Sequence, residues 1–201
     1  LVLAVRDYVN KNGFKSVLLG LSGGIDSALT LAIAADALGG ERVSAVMMPY
    51  HYTADISVID AEQQARTMGV DFQIVPIAPA VSAFTQMLSE PLAKFAVSAN
   101  DTTEQNLQAR SRGVLLMGIS NRSGALVLTT GNKSEVGVGY CTLYGDMAGG
   151  FAPLKDLLKM RVYALSRYRN TISPVIPERV IERAPSAELA PGQTDQDNLP
   201  P

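Results

Sequence analysis

The sequence predicts an α/β protein built on a doubly wound parallel sheet with helices on both faces. Three observations predict it. The short apolar runs Ser16–Leu21, Arg42–Met48 and Ala125–Thr129 lack polar alternation, as strands buried on both faces do. Stretches of helical periodicity separate them, and strands joined through helices pair in parallel. Glycines stand where helix C-terminal caps belong, at Gly39-Gly40 and Gly69.

Taken in order, the opening segment spaces Leu3, Val5 and Val9 on one helical face. The first strand, Ser16–Leu21, leads into a helix over Asp26–Leu38. Arg42–Met48 is the second strand, Ala54–Met68 the next helix and Asp71–Val75 the third strand. Ala78–Leu88 and Glu104–Ile119 read as helices. Ala125–Thr129 is the fourth strand and runs into Gly131-Asn132-Lys133-Ser134-Glu135. Beyond Gly145 the periodicity weakens, apart from a helix expected over Asp156–Tyr168, and Pro174, Pro177, Pro185 and Pro191 punctuate the rest. Ligands of such sheets bind beyond the carboxyl ends of the strands, where strand order reverses. That rule selects the loops after Leu21, Met48 and Thr129.

The 201 residues fit one domain spanning 1–201. With 47% hydrophobic and 18% charged residues, the chain is too apolar for disorder, and its apolar runs are too often interrupted for a membrane span of about 20 residues. A net charge of −2 supplies no broad cationic surface for a nucleic-acid backbone, so phosphate recognition is expected to be local. One cysteine makes no internal disulfide, and a reducing, cytoplasmic setting is the expectation. The chain opens at Leu1 inside a periodic pattern and ends in the polar, proline-bearing Gln193–Pro201. It is therefore expected to be truncated at one or both ends.

Chemistry concentrates in the loop after the first strand, Ser22-Gly23-Gly24-Ile25-Asp26-Ser27. Backbone N–H groups and the positive end of a helix dipole favour an anion at such a place. The two glycines admit close approach of phosphate oxygens, and the two serines add hydroxyl donors. Asp26 would repel phosphate unless a divalent cation lies between them, so it predicts Mg2+. No Walker spacing is present. Gly20-Leu21-Ser22-Gly23-Gly24 does satisfy the Gly-x-Ser-x-Gly of a hydrolase nucleophile elbow, but that reading needs a histidine late in the chain, and the one histidine is His51. A plain glycine turn with a capping side chain explains the helix start alone.

The loop resembles that of the PP-loop ATP-pyrophosphatases, whose members include GMP synthetase, asparagine synthetase, tRNA-thiolating enzymes and NAD synthetase. Three further stretches resemble NAD synthetase in particular: Asn106-Leu107-Gln108-Ala109-Arg110-Ser111-Arg112, Thr130-Gly131-Asn132-Lys133-Ser134-Glu135, and Tyr144-Gly145-Asp146 followed by Pro153-Leu154-Lys155-Asp156-Leu157. Ile176-Pro177-Glu178-Arg179 and Arg183–Leu189 extend the likeness over nearly the whole chain. The resemblance implies an adenine nucleotide α-hydrolase-like fold. It implies that the carboxylate of deamido-NAD attacks the α-phosphorus of ATP to form an adenylate, which ammonia converts to the amide of NAD. It places ATP on Gly20, Leu21, Ser22, Gly23, Gly24, Ile25, Asp26, Ser27, Thr130, Lys159 and Ser186. It assigns Mg2+ and catalysis to Asp26 and Glu135, and deamido-NAD to Asn106, Arg110 and Glu135. A homodimer is a further implication.

Each assignment has a plainer counterpart. Arg110 and Arg112 suit surface ion pairs on a helix, Glu135 suits the first turn of one, and Lys159 suits a solvated face. His51 is expected near the nucleotide pocket without a catalytic part, and Cys141 as a small packed residue. Thr130–Glu135 resembles the glutamine-dependent branch, whose ammonia comes from a glutaminase domain, although the chain contains no such domain; free ammonium is the other source. The alternatives are another PP-loop amidotransferase such as GMP synthetase, or a nucleotide-binding module without turnover.

Overall fold

The computed structural model describes residues 1–98, 101–184 and 186–190. The tail expected over Gln193–Pro201, and with it Pro185 and Pro191, lies outside them. Four strands, β1 (Val17–Gly20), β2 (Val43–Met47), β3 (Asp71–Ile74) and β4 (Leu126–Leu128), form one sheet in the order β3-β2-β1-β4. Every pairing is parallel, with Leu19 opposite Ala45 on one side and Leu128 on the other. The chain steps outward from β1 to β3, then returns past β1 to lay down β4. Strand order therefore reverses between β1 and β4.

Alternation along each strand feeds two apolar layers. Val17, Leu19, Leu21, Val43, Ala45, Leu126 and Leu128 face one core, which is completed by α1 (Val2–Lys11), α2 (Ile25–Leu38), α3 (Asp55–Thr67), α7 (Lys159–Ile172) and α8 (Glu178–Glu182). Leu18, Val46, Ala125 and Val127 face the other, under α4 (Ala78–Leu92) and α5 (Thr103–Ser123). Helices cover both faces, as the buried strands require. In α2, 11 of 14 residues are buried, so this helix is packed all round and shows little amphipathic contrast. Its N-terminus is thereby fixed against the end of β1.

Three expectations need correction. Leu3 is 66% exposed, whereas Val5 and Val9 are buried and Val2 packs beside them; positions 2, 5 and 9 make the true helical stripe. The helix expected from Asp156 begins at Lys159 instead and runs on to Ile172, because residues 153–156 form turns. Two short helices, α6 (Lys133–Gly137) and α8, fall where no periodicity is visible. Five residues are too few to show a period.

Candidate functional site

A cleft of about 490 Å³ opens at the carboxyl ends of β1, β2 and β4, where the reversal of strand order leaves a crevice. Its floor is the segment between β1 and α2. Gly23 takes φ +79°, and a Cβ there would meet the backbone oxygen of Ser57 at 2.3 Å. Only glycine fits this turn against α3. Inside the loop, Ser22 Oγ accepts from the Gly24 N–H at 3.2 Å and lies 3.1 Å from Ser27 Oγ, which itself donates to the Gly24 carbonyl at 3.0 Å. The two serines thus brace the loop. His51 stacks on Tyr50 with centroids 4.6 Å apart and is not among the cleft residues. Thr53, two residues on, does line the cleft, and Ser22 has hydroxyl and amide partners rather than an imidazole, which removes the elbow reading.

The opposite wall comes from the segment after β4. Asn132 is the N-cap of α6, and its side chain accepts from the Glu135 N–H at 3.1 Å while Glu135 Oε2 accepts from the Asn132 N–H at 3.2 Å. This reciprocal capping box fixes both side chains. Asn132 Nδ2 also donates to Asp26 Oδ1 at 2.9 Å, across 106 residues of sequence. Lys159, the first residue of α7, donates through Nζ to Asp26 Oδ2 and lies 3.7 Å from Glu135 Oε1. Two carboxylates therefore converge on one ammonium in a site where all three side chains are 15–21% exposed. Lys159 is not a solvated surface lysine, and Glu135 is both a capping acid and a cleft residue.

The remaining sequence candidates divide. Gly20, Leu21, Ser22, Gly24, Ile25, Asp26, Ser27, Thr130, Asn106, Lys159 and Ser186 all line the cleft. Gly23 and Arg110 do not: Gly23 is turned against the Ser57 backbone, and Arg110 Nε donates to the Leu143 carbonyl at 3.2 Å. Cys141 is exposed and lines the cleft, which corrects its expected packing role. It sits in a segment that lacks regular structure and is therefore not drawn into the core.

Contacts not visible in the sequence hold this cleft together. Arg112 grips Asp146 with two bonds of 2.8 Å, Asn106 Oδ1 accepts from Thr142 Oγ1 at 2.8 Å, and Gly113 leaves room for the Gly145 carbonyl, which a Cβ would meet at 2.9 Å. Together they moor residues 142–146 along α5. Glu188 accepts from Ser57 Oγ at 2.7 Å and from the Ala54 N–H at 3.2 Å, tying the segment after α8 to the start of α3. The two motifs in 106–112 and 144–146 are thus partners of each other. A double-mutant cycle of Arg112→Ala and Asp146→Ala, read by urea unfolding, is expected to give a coupling of about 1 kcal/mol for this bidentate, half-buried pair.

The whole chain, residues 1–201, matches the family profile described as NAD synthase. The chain belongs to this family. A curated relative, the glutamine-dependent NAD(+) synthetase of Acinetobacter baylyi, is 65% identical over 202 residues, covering 100% of this chain and 37% of that protein. The solved structure of the glutamine-dependent NAD+ synthetase of Acinetobacter baumannii in complex with ADP is 61% identical and superposes with a TM-score of 0.88 over 94% of this chain and 36% of that one. The structure of NMN synthetase from Francisella tularensis is 29% identical, with a TM-score of 0.85 over 98% of this chain and 76% of that one. The chain thus spans little more than a third of the glutamine-dependent relatives. Its parallel sheet is the adenine nucleotide α-hydrolase fold of the NAD synthase family. Among the described residues no helix is long and apolar enough to cross a membrane.

Proposed function

We propose that this chain is the synthetase part of an NAD synthetase: it adenylates the carboxylate of deamido-NAD with ATP and passes the adenylate to ammonia, giving NAD, AMP and pyrophosphate. The observation that carries the reading is the convergence of Asp26 and Glu135 on one cationic group at the mouth of the phosphate loop. A carboxylate oxygen of the substrate attacks the α-phosphorus and the bond to the pyrophosphate oxygen breaks. Ammonia then attacks the carbonyl carbon, AMP leaves with the bonding electrons, and ammonia's extra proton is lost to solvent. The chain's contribution is to orient the reactants and balance their charge. The N-terminus of α2 and the Ser22–Ser27 loop cradle the leaving pyrophosphate, while Lys159 lies within reach of its oxygens.

Magnesium fits the donor set. Asp26 and Glu135 offer hard oxygens that converge on one ammonium, and Mg2+ takes one or two carboxylates with phosphate oxygens and water completing its shell. When bound, it neutralises charge on the phosphates. Thr130 and Ser186 line the ATP end, Asn106 lines the cleft toward the nicotinate substrate, and Arg110 takes its part from just outside the cleft in this reading. The names of the two Acinetobacter relatives support glutamine as the ultimate ammonia source, through a glutaminase domain or subunit. A homodimer is supported by α4, in which Val81 alone is buried while Phe84 and Met87 stand exposed. The exposed Cys141 thiol suits a reducing cytoplasm.

The likeness to an NMN synthetase favours one second reading, in which the substrate is the corresponding mononucleotide. Supplying ATP, Mg2+ and ammonium with either deamido-NAD or that mononucleotide, and measuring NAD or NMN together with AMP and pyrophosphate, separates the two. The expected product is NAD. Pyrophosphate release without amide from either substrate would defeat both readings.

A further inference from the structure

The ammonium of Lys159 stands between the two carboxylates assigned above to the metal. It donates to Asp26 Oδ2 and lies 3.7 Å from Glu135 Oε1, with its side chain 21% exposed. The remaining oxygens of the pair are held by fixed protein donors: Asn132 Nδ2 on Asp26 Oδ1, and the Asn132 N–H on Glu135 Oε2. The other oxygen of each carboxylate lies against the same ammonium. We infer that Lys159 is a resident counter-ion occupying the cation position, so that free metal is excluded until a nucleotide draws the lysine away.

The physical basis is charge. A divalent cation brought between the carboxylates while the ammonium remains meets a positive neighbour at contact distance in a partly desolvated site, where such repulsion is strong. Nucleotide phosphates remove that obstacle, because their oxygens offer the flexible lysine an anionic partner. Asn132 donates to one oxygen of each carboxylate, but two like charges brought this close still repel unless a cation stands between them. Lys159 solves that problem in the nucleotide-free chain. It also makes nucleotide and metal binding cooperative, since each favours the lysine position the other needs. This inference rests on the metal assignment within the proposed function.

The test uses Mn2+ alone as probe, titrated into the nucleotide-free chain and followed by the loss of the free-ion electron paramagnetic resonance signal. Lys159→Met is expected to bind Mn2+ at least about tenfold more tightly than the parent chain, because a unit charge is removed from contact. Lys159→Arg, which keeps the charge, is expected to stay near the parent. Adding Asp26→Asn to Lys159→Met is expected to abolish the gain. Lys159→Gln provides the same comparison if the methionine variant loses its native circular dichroism. Equal Mn2+ affinity in the parent and the folded neutral variants overturns the inference, as does a gain that survives loss of Asp26. Because the readout needs no turnover, failure of the NAD-forming assay leaves it standing, and its own failure leaves that assay untouched.

Discussion

Asp26→Asn is expected to lower ATP-dependent pyrophosphate release by about 10³-fold or more, the scale of losing a principal electrostatic contact in a transition state. The fold is expected to survive. Asp26 is the second residue of α2, and an asparagine there keeps a polar side chain and an oxygen that can accept from Asn132, while forgoing the ion pair with Lys159 and the interaction of a negative charge with the helix N-terminus, the latter about 0.3–1 kcal/mol. The substitution also leaves Lys159 its contact with Glu135. Pyrophosphate release and thermal unfolding measured on the same preparation distinguish these effects. Near-parental turnover would take Asp26 out of the chemistry and leave it a purely structural partner of Lys159.

Gly23→Ala is expected to be the most damaging small substitution in the phosphate loop. A residue with a Cβ pays about 1–2 kcal/mol for the left-handed conformation alone. At Gly23 the added carbon would also meet the Ser57 backbone oxygen at 2.3 Å and its carbonyl carbon at 2.8 Å. Backbone at the first turn of α3 cannot rotate aside as a side chain would, so the loop itself must move. A loss of about 2–4 kcal/mol in urea unfolding is expected, with ATP affinity reduced at least about tenfold in calorimetric titration because the loop no longer presents its amides together. Gly24→Ala is the control. Its added carbon would lie 3.3 Å from Ser22 Oγ, a side-chain atom that can yield, and the expected effect is small. Equal effects at the two glycines would refute the steric account.

Why Gly23 rather than Gly24 is indispensable was invisible in the sequence, since the contact is to Ser57, 34 positions away. What the sequence did reveal was whatever depends on near neighbours. Strands β1, β2 and β4 lie inside the apolar runs read from the sequence, because burial on both faces leaves a hydrophobic record, whereas the largely exposed edge strand β3 carries Asp71 and Gln73 and is legible by its place between a helix and a turn. The loop after β1 was legible because small residues, hydroxyls and a carboxylate are concentrated in six positions. Leu3 was misassigned because it is apolar and close to the true stripe, and nothing local says that Val2 fills that place. Asn132 was overlooked as a site residue even though Asn-x-x-Glu is a readable capping pattern. Its second task, holding Asp26, is a tertiary contact with no local trace. In the sequence Arg112 and Asp146 belong to two separate stretches, and only the fold makes them one clamp. Lys159 is assigned to ATP by resemblance alone, because helical position does not report which carboxylates stand across a cleft.

The strand order has a consequence for how the molecule comes into being. β1 gains its neighbour β2 after a short excursion through α2, but its other neighbour, β4, arrives only after more than 100 residues of intervening chain. Closing so long a segment is entropically costly before its contacts can compensate, and non-local pairings of this kind are slow to form. Asp26 belongs to the early half of the chain, whereas Asn132, Glu135 and Lys159 all belong to the late half. A nascent chain that has folded only as far as β3 thus owns a phosphate loop without the groups that complete it. Assembly of the Asp26–Asn132–Glu135–Lys159 cluster and completion of the native topology are therefore one event.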